Sequence, residues 1–160
     1  MKRTVFVGQA MPRVKKDPHD WPSLNQWLYS IKIRPNQIRK HFLYSALVDY
    51  FPGAKNGSHR VPSAKEIIDE RRRLKNTIND FNPDILVPIG KLSISYCLQT
   101  HNLALKDYIG RTFNLNPFGL LERELIIIPF PHPSGASTWH KKLENRKLVI
   151  KALKTFKENL

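Results

Sequence analysis

The sequence predicts an α/β fold, a three-layer α/β/α domain with a mostly parallel, four-stranded central sheet. Four short apolar runs alternate with segments of helical periodicity, an order that is typical of a parallel sheet covered by helices. The last run, residues 125–128, is continuous in apolar residues, as strands buried on both faces are. The length of 160 residues suits one domain, so we expect a single domain over residues 1–160.

The four predicted strands comprise residues 4–8, 43–48, 85–90 and 125–130. The clearest helix between them begins at Ser63, because Ser63 and Glu66 have the S-x-x-E spacing of a capping box. An apolar stripe follows at helical spacing, and Pro83 ends the helix. A last helix covers residues 144–160, with apolar residues on one face and lysines on the other. Both stripes are expected to pack in the core; they comprise Ile67, Leu74, Ile78 and Phe81, and Val149, Ala152, Leu153, Phe156 and Leu160.

Charge and cysteine content limit the classes of function. There are 27 Lys and Arg against 13 Asp and Glu, a net charge of +14 that attracts polyanions, although a lysine-rich surface also serves solubility. The single cysteine, Cys97, excludes an internal disulfide, a cysteine-rich zinc site and a four-cysteine iron–sulfur cluster. Cys97 lies in an apolar helical stretch and is expected in the core. No apolar run reaches the roughly 20 residues of a membrane span.

Two strand ends carry the residues that favour chemistry. Residues 8–12 follow the first strand and residues 131–138 follow the last, and in open α/β sheets such turns meet at the ligand crevice. His132 lies between two prolines that restrict the backbone, and a neutral imidazole stabilises a developing oxyanion. The small residues after it suit a phosphate, whereas the alternative is a proline-stiffened loop.

A polar loop before the first helix adds an aromatic ring and two carboxylates. Trp21 offers a π-face for a nucleobase, or alternatively closes the edge of the core. Asp17 and Asp20 lie close to it in sequence. The other histidines show no metal-ligand spacing, and we expect neither a metal nor another cofactor.

The order of these segments resembles the uracil-DNA glycosylase superfamily over nearly the whole chain. The family's first motif, a strand followed by G-[QE]-x-P or G-E-A-P-G, is similar to residues 8–12 (GQAMP). Its second motif, H-P-S followed by small residues, is similar to residues 132–137 (HPSGAS). Between them, residues 51–53 (FPG), 60–67 (RVPSAKEI) and 87–93 (VPIGKLS) resemble the P-P-G-N-R-x-P-T-x-E-E-I and L-G-x-x-A segments of the iron–sulfur branch.

The resemblance implies an enzyme that flips a damaged base out of DNA and hydrolyses its N-glycosidic bond. His132 would donate a hydrogen bond to uracil O2 and stabilise the departing anion. Trp21 stands where the family carries a stacking Phe, in a substrate pocket with Gly8, Ala10 and Ser45. In the resemblance, Ser134 would bind a flanking phosphate, and the loop of Ala136 and Ser137 would press on the minor groove. The residues implied to contact DNA are Arg60, Lys91, Ser93, Ser134, Gly135, Ala136 and Ser137.

Several family residues are replaced in this chain. Gln9 stands where the iron–sulfur branch has a water-positioning Glu, and Ala10 where the most familiar branch has an Asp. Gln9 itself could orient the water through its carbonyl, an acid among Asp17, Asp20 and Asp49 could replace the lost carboxylate, or the protein could bind DNA without cleaving it. The family's base-reading Asn aligns near Ser45 or Ala46, so the sequence does not specify the base. The four cluster cysteines are absent as well.

Three classes of function stay open. The first is a monofunctional glycosylase for uracil or a related deaminated base, and the second is a catalytically weak or inert DNA-binding module on the same fold. A metabolic enzyme for a small phosphorylated substrate is disfavoured by the charge and by the lack of a P-loop or dinucleotide motif. We expect single- or double-stranded DNA as partner, no membrane contact, and a monomer in the cytoplasm, associated with the nucleoid in a prokaryote.

Overall fold

The computed structural model describes residues 1–14, 17–134 and 137–160. The strands are β1 Thr4–Ala10, β2 Phe42–Val48, β3 Ala54–Lys55, β4 Ser58–His59, β5 Ile85–Pro88, β6 Phe113–Leu115 and β7 Leu125–Ile127. The α-helices are α1 Pro22–Ser30, α2 Pro35–His41, α3 Ala64–Asp69, α4 Arg71–Phe81, α5 Gly90–Leu98 and α6 Leu143–Asn159. Short 3₁₀ turns occupy Leu105–Asp107, Pro117–Gly119 and Trp139–Lys141.

The central sheet has five strands in the order β2-β1-β5-β7-β6. β1 pairs in parallel with β2 and β5, and β5 pairs in parallel with β7. β6 is antiparallel to β7 at one edge, while β3 and β4 form a separate hairpin. Because the four parallel strands share a direction, their carboxyl ends lie along one edge of the sheet.

Helices cover both faces of the sheet, which confirms the predicted three layers. On one face, residues of α1, α2 and α6 pack around Phe6, Phe42 and Phe130, all at most 1% exposed. On the other face, α3 and α4 pack around Val5 and Val7. α5 contributes to both sides, through Ile94 on the first and Cys97 on the second. The expectation that Cys97 lies in the core is therefore confirmed, and burial raises the pKa of its thiol.

The prediction of four central strands was one strand short. The additional strand, β6, has three residues, none of them fully buried, at the edge of the sheet. It therefore lacks the apolar run that marks a strand buried on both faces. The fourth predicted strand also ends earlier, at Ile127, and resumes as a single parallel bridge between Ile89 and Phe130.

The helix predicted from Ser63 is divided at Glu70 into α3 and α4. Its capping box is confirmed, since the Ser63 hydroxyl accepts from the Glu66 backbone N–H and the Glu66 carboxylate accepts from the Ser63 N–H. Glu70, with φ −87° and ψ −6°, lies at the edge of the right-handed helical region, and it is both the C-cap of α3 and the N-cap of α4. The last helix begins one residue earlier than predicted. No helix in the described ranges is long and apolar enough to cross a membrane.

Candidate functional site

A cavity of about 580 Å³ opens at the carboxyl edge of the sheet, where the sequence predicted a crevice. Five segments line it: the turn after β1, the loop before α1, the middle of β2, the β3–β4 hairpin and the loop after β7. The two turns predicted to carry chemistry are thus brought together with a third segment, the hairpin.

Trp21 forms one wall of this cavity, and Gly8 lies directly behind its indole. A Cβ atom on Gly8 would lie 3.0 Å from Cη2 and 3.3 Å from Cζ3 of Trp21, closer than the roughly 3.5–4.0 Å at which carbon atoms pack. The half-buried indole also lies edge-on to Tyr44, with ring centroids 6.2 Å apart. The glycine of the first motif is therefore the residue that leaves room for the indole.

His132 lies beside Trp21, with ring centroids 5.9 Å apart and the two planes at 54°. The backbone N–H of Ser134 donates to His132 Nδ1 at 3.1 Å. Because a neutral ring nitrogen that accepts carries no hydrogen, the proton of the neutral imidazole is on Nε2. Although the ring is exposed to the cavity, desolvation by the surrounding protein lowers the pKa of His132, and His140 and His59 lower it further. At pH 7 His132 is therefore a neutral donor through Nε2.

A second cavity, of about 390 Å³, adjoins His132. Gln9, Gly90 and Lys91 line it together with His132, and no carboxylate is among its described lining residues. Ala10 lines the larger cavity instead. The two motif residues that differ from the family pattern therefore border different cavities, and His132 borders both.

The three candidate carboxylates have different surroundings. Asp20 is exposed and lines the larger cavity. The carboxylate of Asp17 accepts from the His19 backbone N–H at 2.8 Å and pairs with Arg39 at 2.8 Å, and these contacts lower its pKa. Asp49 is exposed just after β2 and lies outside the described lining of both cavities. Asp20 is thus the one of the three that the fold brings to the candidate site.

Two consecutive residues of β2 are buried at the cavity. The Tyr44 hydroxyl donates to Asn25 Oδ1 at 2.5 Å, and burial raises its pKa. The Ser45 hydroxyl accepts from the Arg73 guanidinium of α4 at 3.3 Å. Because successive strand residues point to opposite faces, the Tyr44 ring faces Trp21 while the Ser45 hydroxyl is directed to α4. The hydroxyl of Ser45 is therefore held away from the side of the sheet that carries Trp21.

The β3–β4 hairpin is inserted between Gly53 and Arg60 and reaches the cavity. Asn56 and Gly57 form its turn with φ values of 52° and 75°, the positive angles of a type I′ turn. The Arg60 N–H donates to the Gly53 carbonyl at 2.8 Å, which closes the base of the hairpin. His59 lines the cavity, and its ring packs edge-on against Phe51 at 5.1 Å.

Arg60 is held by protein contacts on several sides. Its Nη2 and Nη1 pair with the two oxygens of Glu66 at 2.7 and 2.9 Å, and its Nε donates to the Pro52 carbonyl at 2.7 Å. The arginine therefore ties the hairpin to the start of α3. Glu66 also accepts from the hydroxyl of Tyr50 at 3.1 Å, and these contacts hold its pKa well below the usual range, the pairing with Arg60 first among them.

The remaining predicted DNA contacts lie in different environments. Ser93 is completely buried and its hydroxyl donates to the Val7 carbonyl at 2.6 Å, so the structure corrects its expected contact with DNA. Lys91 is exposed, and Ser134 lines the larger cavity. The Ser137 N–H donates to the Ser134 carbonyl at 3.1 Å. Gly135 and Ala136 lie outside the described residues.

The sequence analysis did not assign His59 or Tyr44 to this cavity, although both line it. His59 is brought there by the hairpin, and the Asn56-Gly57 dipeptide between short segments was a usable signal for that turn. Tyr44 lay inside a predicted strand, but no local pattern distinguishes a core tyrosine from one beside a cavity. Its hydrogen bond to Asn25 joins residues 19 positions apart.

The family model described as the uracil DNA glycosylase superfamily matches residues 2–157, nearly the whole chain. No curated protein matches the chain significantly.

Proposed function

The chain belongs to the uracil-DNA glycosylase superfamily, and from this premise we propose that it removes uracil or a related deaminated base from DNA by base flipping and hydrolysis of the N-glycosidic bond. The reaction would begin base-excision repair. The setting we propose is the cytoplasm, at the nucleoid in a prokaryote, with a monomer acting on damaged DNA.

The observation that carries this proposal is the pair of Trp21 and His132 in one cavity. The outer atoms of the indole lie against Gly8 of β1, and Trp21 lines the cavity, where its ring offers a stacking surface to a flipped base. His132 lies at 5.9 Å from it, with Nδ1 bound by Ser134 and Nε2–H as donor. A base stacked on Trp21 would then present its carbonyl oxygen to a neutral donor.

The chemistry follows from that donor. As the bond between C1′ and the base nitrogen breaks, its electron pair moves into the base, and negative charge develops on the carbonyl oxygen. A donor aimed at this oxygen stabilises the transition state more than the ground state. The sugar becomes oxocarbenium-like, water adds to C1′, and the water gives up one proton while the departing base anion is protonated.

We propose Asp20 as the carboxylate that orients this water and takes its proton. Of the three candidate acids, Asp20 is the one that lines the larger cavity. The carboxylate of Asp17 is paired with Arg39, and Asp49 lies beyond β2. Gln9 borders the second cavity and His132, so its carbonyl is the alternative group to orient water. A carboxylate within reach of the proton suits general-base catalysis.

DNA would lie across the mouth of the cavity, attracted by the net charge of +14. We propose phosphate contacts at Lys91, beside the second cavity, and in the loop from Ser134 to Ser137, which includes Gly135 and Ala136. The guanidinium of Arg60 is engaged by Glu66, so its proposed role is to hold the hairpin near the DNA.

The iron–sulfur cluster of the branch that the middle of the chain resembles does not fit these residues. Such a cluster needs four thiolates, whereas the single Cys97 is buried with a raised pKa. Within the described ranges, no three His, Cys, Asp or Glu side chains are grouped to hold a metal ion.

A catalytically weak or inert DNA-binding module is the second candidate. It is favoured by the substitution of both family carboxylates, at Gln9 and Ala10. This module would bind DNA with an affinity that falls as salt rises, but it would release no base.

Base release from end-labelled oligonucleotides separates the two candidates. Each oligonucleotide carries one uracil, hypoxanthine or xanthine, in single-stranded, matched and mismatched contexts, and alkali cleaves the abasic product. The variants are His132→Ala and Trp21→Ala. His101→Ala is the matched control, because His101 is exposed in the turn after α5.

We expect strand scission by the wild type and by His101→Ala, and a loss of about 100-fold or more in His132→Ala, as when an oxyanion donor is removed. Scission that persists in both site variants would place the chemistry elsewhere. No scission with any base, from folded protein that binds DNA, would establish the binding module instead.

A further inference from the structure

Trp21 is held in the cavity wall by its surroundings, since its side chain makes no hydrogen bond to the residues that the structure describes. It precedes Pro22 at the start of α1, with no side-chain cap. Its backbone N–H donates to the His19 carbonyl at 3.1 Å, and its carbonyl accepts from the Asn25 N–H at 2.8 Å. The position of the indole therefore depends on how the loop of residues 17–21 is attached to α1 and the sheet.

Asn25 makes that attachment with both ends of its carboxamide. Nδ2 donates to the His19 carbonyl at 3.1 Å, and Oδ1 accepts from the Tyr44 hydroxyl at 2.5 Å. Because a carbonyl only accepts, the amide orientation is fixed and Tyr44 must be the donor. One side chain thus links the loop, the first helix and strand β2.

Tyr44 completes the link through its ring. The ring packs edge-on against Trp21 at 6.2 Å, His19 at 5.6 Å and Phe6 at 5.5 Å. The side chain is 5% exposed, and burial raises its pKa, so the phenol keeps its proton at neutral pH. The donor to Asn25 is therefore present under the conditions of the reaction.

His19 holds the middle of the loop. Its Nε2 donates to the Phe42 carbonyl at 2.9 Å, and its backbone N–H donates to Asp17. Nδ1 of His19 is buried without a hydrogen-bond partner among the described residues, at 3.6 Å from Asp17 Oδ1. The ring is thus placed by the Phe42 carbonyl at the start of β2, on the strand that also carries Tyr44.

We propose that Asn25 and Tyr44 are positioning residues for the reaction: their hydrogen bond fixes the Trp21 indole in the orientation that receives a flipped base. This inference rests on the proposed function and adds residues to it that do not touch the substrate. A stacking surface that is already ordered loses less conformational entropy when the base arrives, so the two residues act on binding rather than on bond cleavage.

The test compares Tyr44→Phe, which removes only the hydroxyl, with Asn25→Ala and Asn25→Asp. Asn25→Asp keeps an oxygen for Tyr44 but loses the donor to His19. Gln26→Ala is the control, since Gln26 is the exposed next residue on the same helix. KM and the single-turnover rate at saturating enzyme are measured on the best-cleaved oligonucleotide.

We expect KM to rise about three- to tenfold in Tyr44→Phe and Asn25→Ala, the equivalent of one lost hydrogen bond. In Asn25→Asp the increase in the logarithm of KM should be about half as large. The saturated single-turnover rate should change less than twofold in each. Values of KM within twofold of wild type, or a loss confined to the saturated rate, would overturn the proposal.

A second measurement does not depend on activity. In a background in which Trp27 and Trp139 are replaced by Phe, Trp21 is the one tryptophan left. With excitation at the red edge of the tryptophan band, which avoids the tyrosines, acrylamide quenching reports how accessible its indole is. Asn25→Ala should raise the quenching constant by about twofold, while Gln26→Ala leaves it unchanged. Unchanged quenching in Asn25→Ala refutes the positioning role, whereas raised quenching in a protein that releases no base refutes only the proposed function.

Discussion

Gly8→Ala tests the arrangement of the site most directly, because it adds one methyl group behind Trp21. The new Cβ would lie 3.0 Å from Cη2 and 3.3 Å from Cζ3 of the indole, with the Ser45 carbonyl oxygen at 3.8 Å. Carbon atoms pack at about 3.5–4.0 Å, so the indole must retreat by roughly 0.5–1 Å. Gly8 does not have a positive φ, so the effect is steric and adds no backbone strain.

The direction of the retreat determines what is lost. Trp21 is half-buried and borders the cavity, so the ring moves into open space and relieves most of the overlap. We therefore expect a loss of stability near the lower end of the overpacking range, about 1 kcal/mol. The methyl group excludes the original indole position even when the base is bound, whereas after loss of the Asn25–Tyr44 hydrogen bond the indole can still return to it. The stacked base is therefore displaced as well, and a displacement of about 1 Å costs up to about 100-fold in rate, so saturated single-turnover base release should fall by about 10- to 100-fold.

The assay combines thermal unfolding with single-turnover base release. Gly8→Ala is compared with Trp21→Phe and with the double variant, because a phenyl ring lacks the outer indole atoms that meet the new methyl group. The double variant should be no slower than Trp21→Phe alone, a non-additive result that is expected for residues in contact. A wild-type rate in Gly8→Ala, or strictly additive losses, would refute the assignment of the indole as the stacking surface.

Three further outcomes follow from the same geometry. Because the pKa of His132 is lowered in the folded protein, the unfolded chain binds more protons than the folded one below about pH 6.5. In urea unfolding, acidification through that range should therefore lower the free energy of unfolding of the wild type more than that of His132→Gln, and equal decreases in the two proteins would contradict the lowered pKa. Asp20→Asn should slow base release by about 100-fold or more, while Asp80→Asn, an exposed change in α4, should not; an unaffected rate would assign the water to Gln9. His59→Ala should weaken binding of uracil-containing DNA about three- to tenfold, as for one lost polar contact, with little change in melting temperature, and unchanged affinity would remove the hairpin from the binding surface.

The sequence predicted the parts of the fold that depend on local pattern. Buried strands appear as apolar runs, and the Ser63–Glu66 spacing predicted a helix start that the structure confirms. β6 has no such pattern, because a three-residue edge strand is specified by its neighbour β7 rather than by its own residues. Glu70 divides the predicted helix for a similar reason, since its carboxylate accepts from the Asp49 N–H and from Arg73.

The site residues that belong to sequence motifs could be predicted, whereas those that are placed by tertiary packing could not. His132 and Trp21 were identified from their motif and loop, and the structure places them side by side. Ser93 lies close to Lys91 in the chain, but the phase of α5 turns it toward the Val7 carbonyl. His59 reaches the cavity on the hairpin that Arg60 closes at its base. The Asn56-Gly57 turn was a local signal for this hairpin, but no local pattern specifies where the hairpin packs.

The hairpin of residues 54–59 is attached to the rest of the fold in a way that suits engineering. Its two ends are joined by the hydrogen bond from Arg60 to the Gly53 carbonyl, so the loop leaves and re-enters the framework at nearly one point. In the family segment that this region resembles, a single residue separates the glycine from the arginine. We therefore expect that the length and the tip residues of the hairpin can change without moving Trp21 or His132, so that libraries confined to these six positions would vary the groups that line the cavity on an unchanged framework.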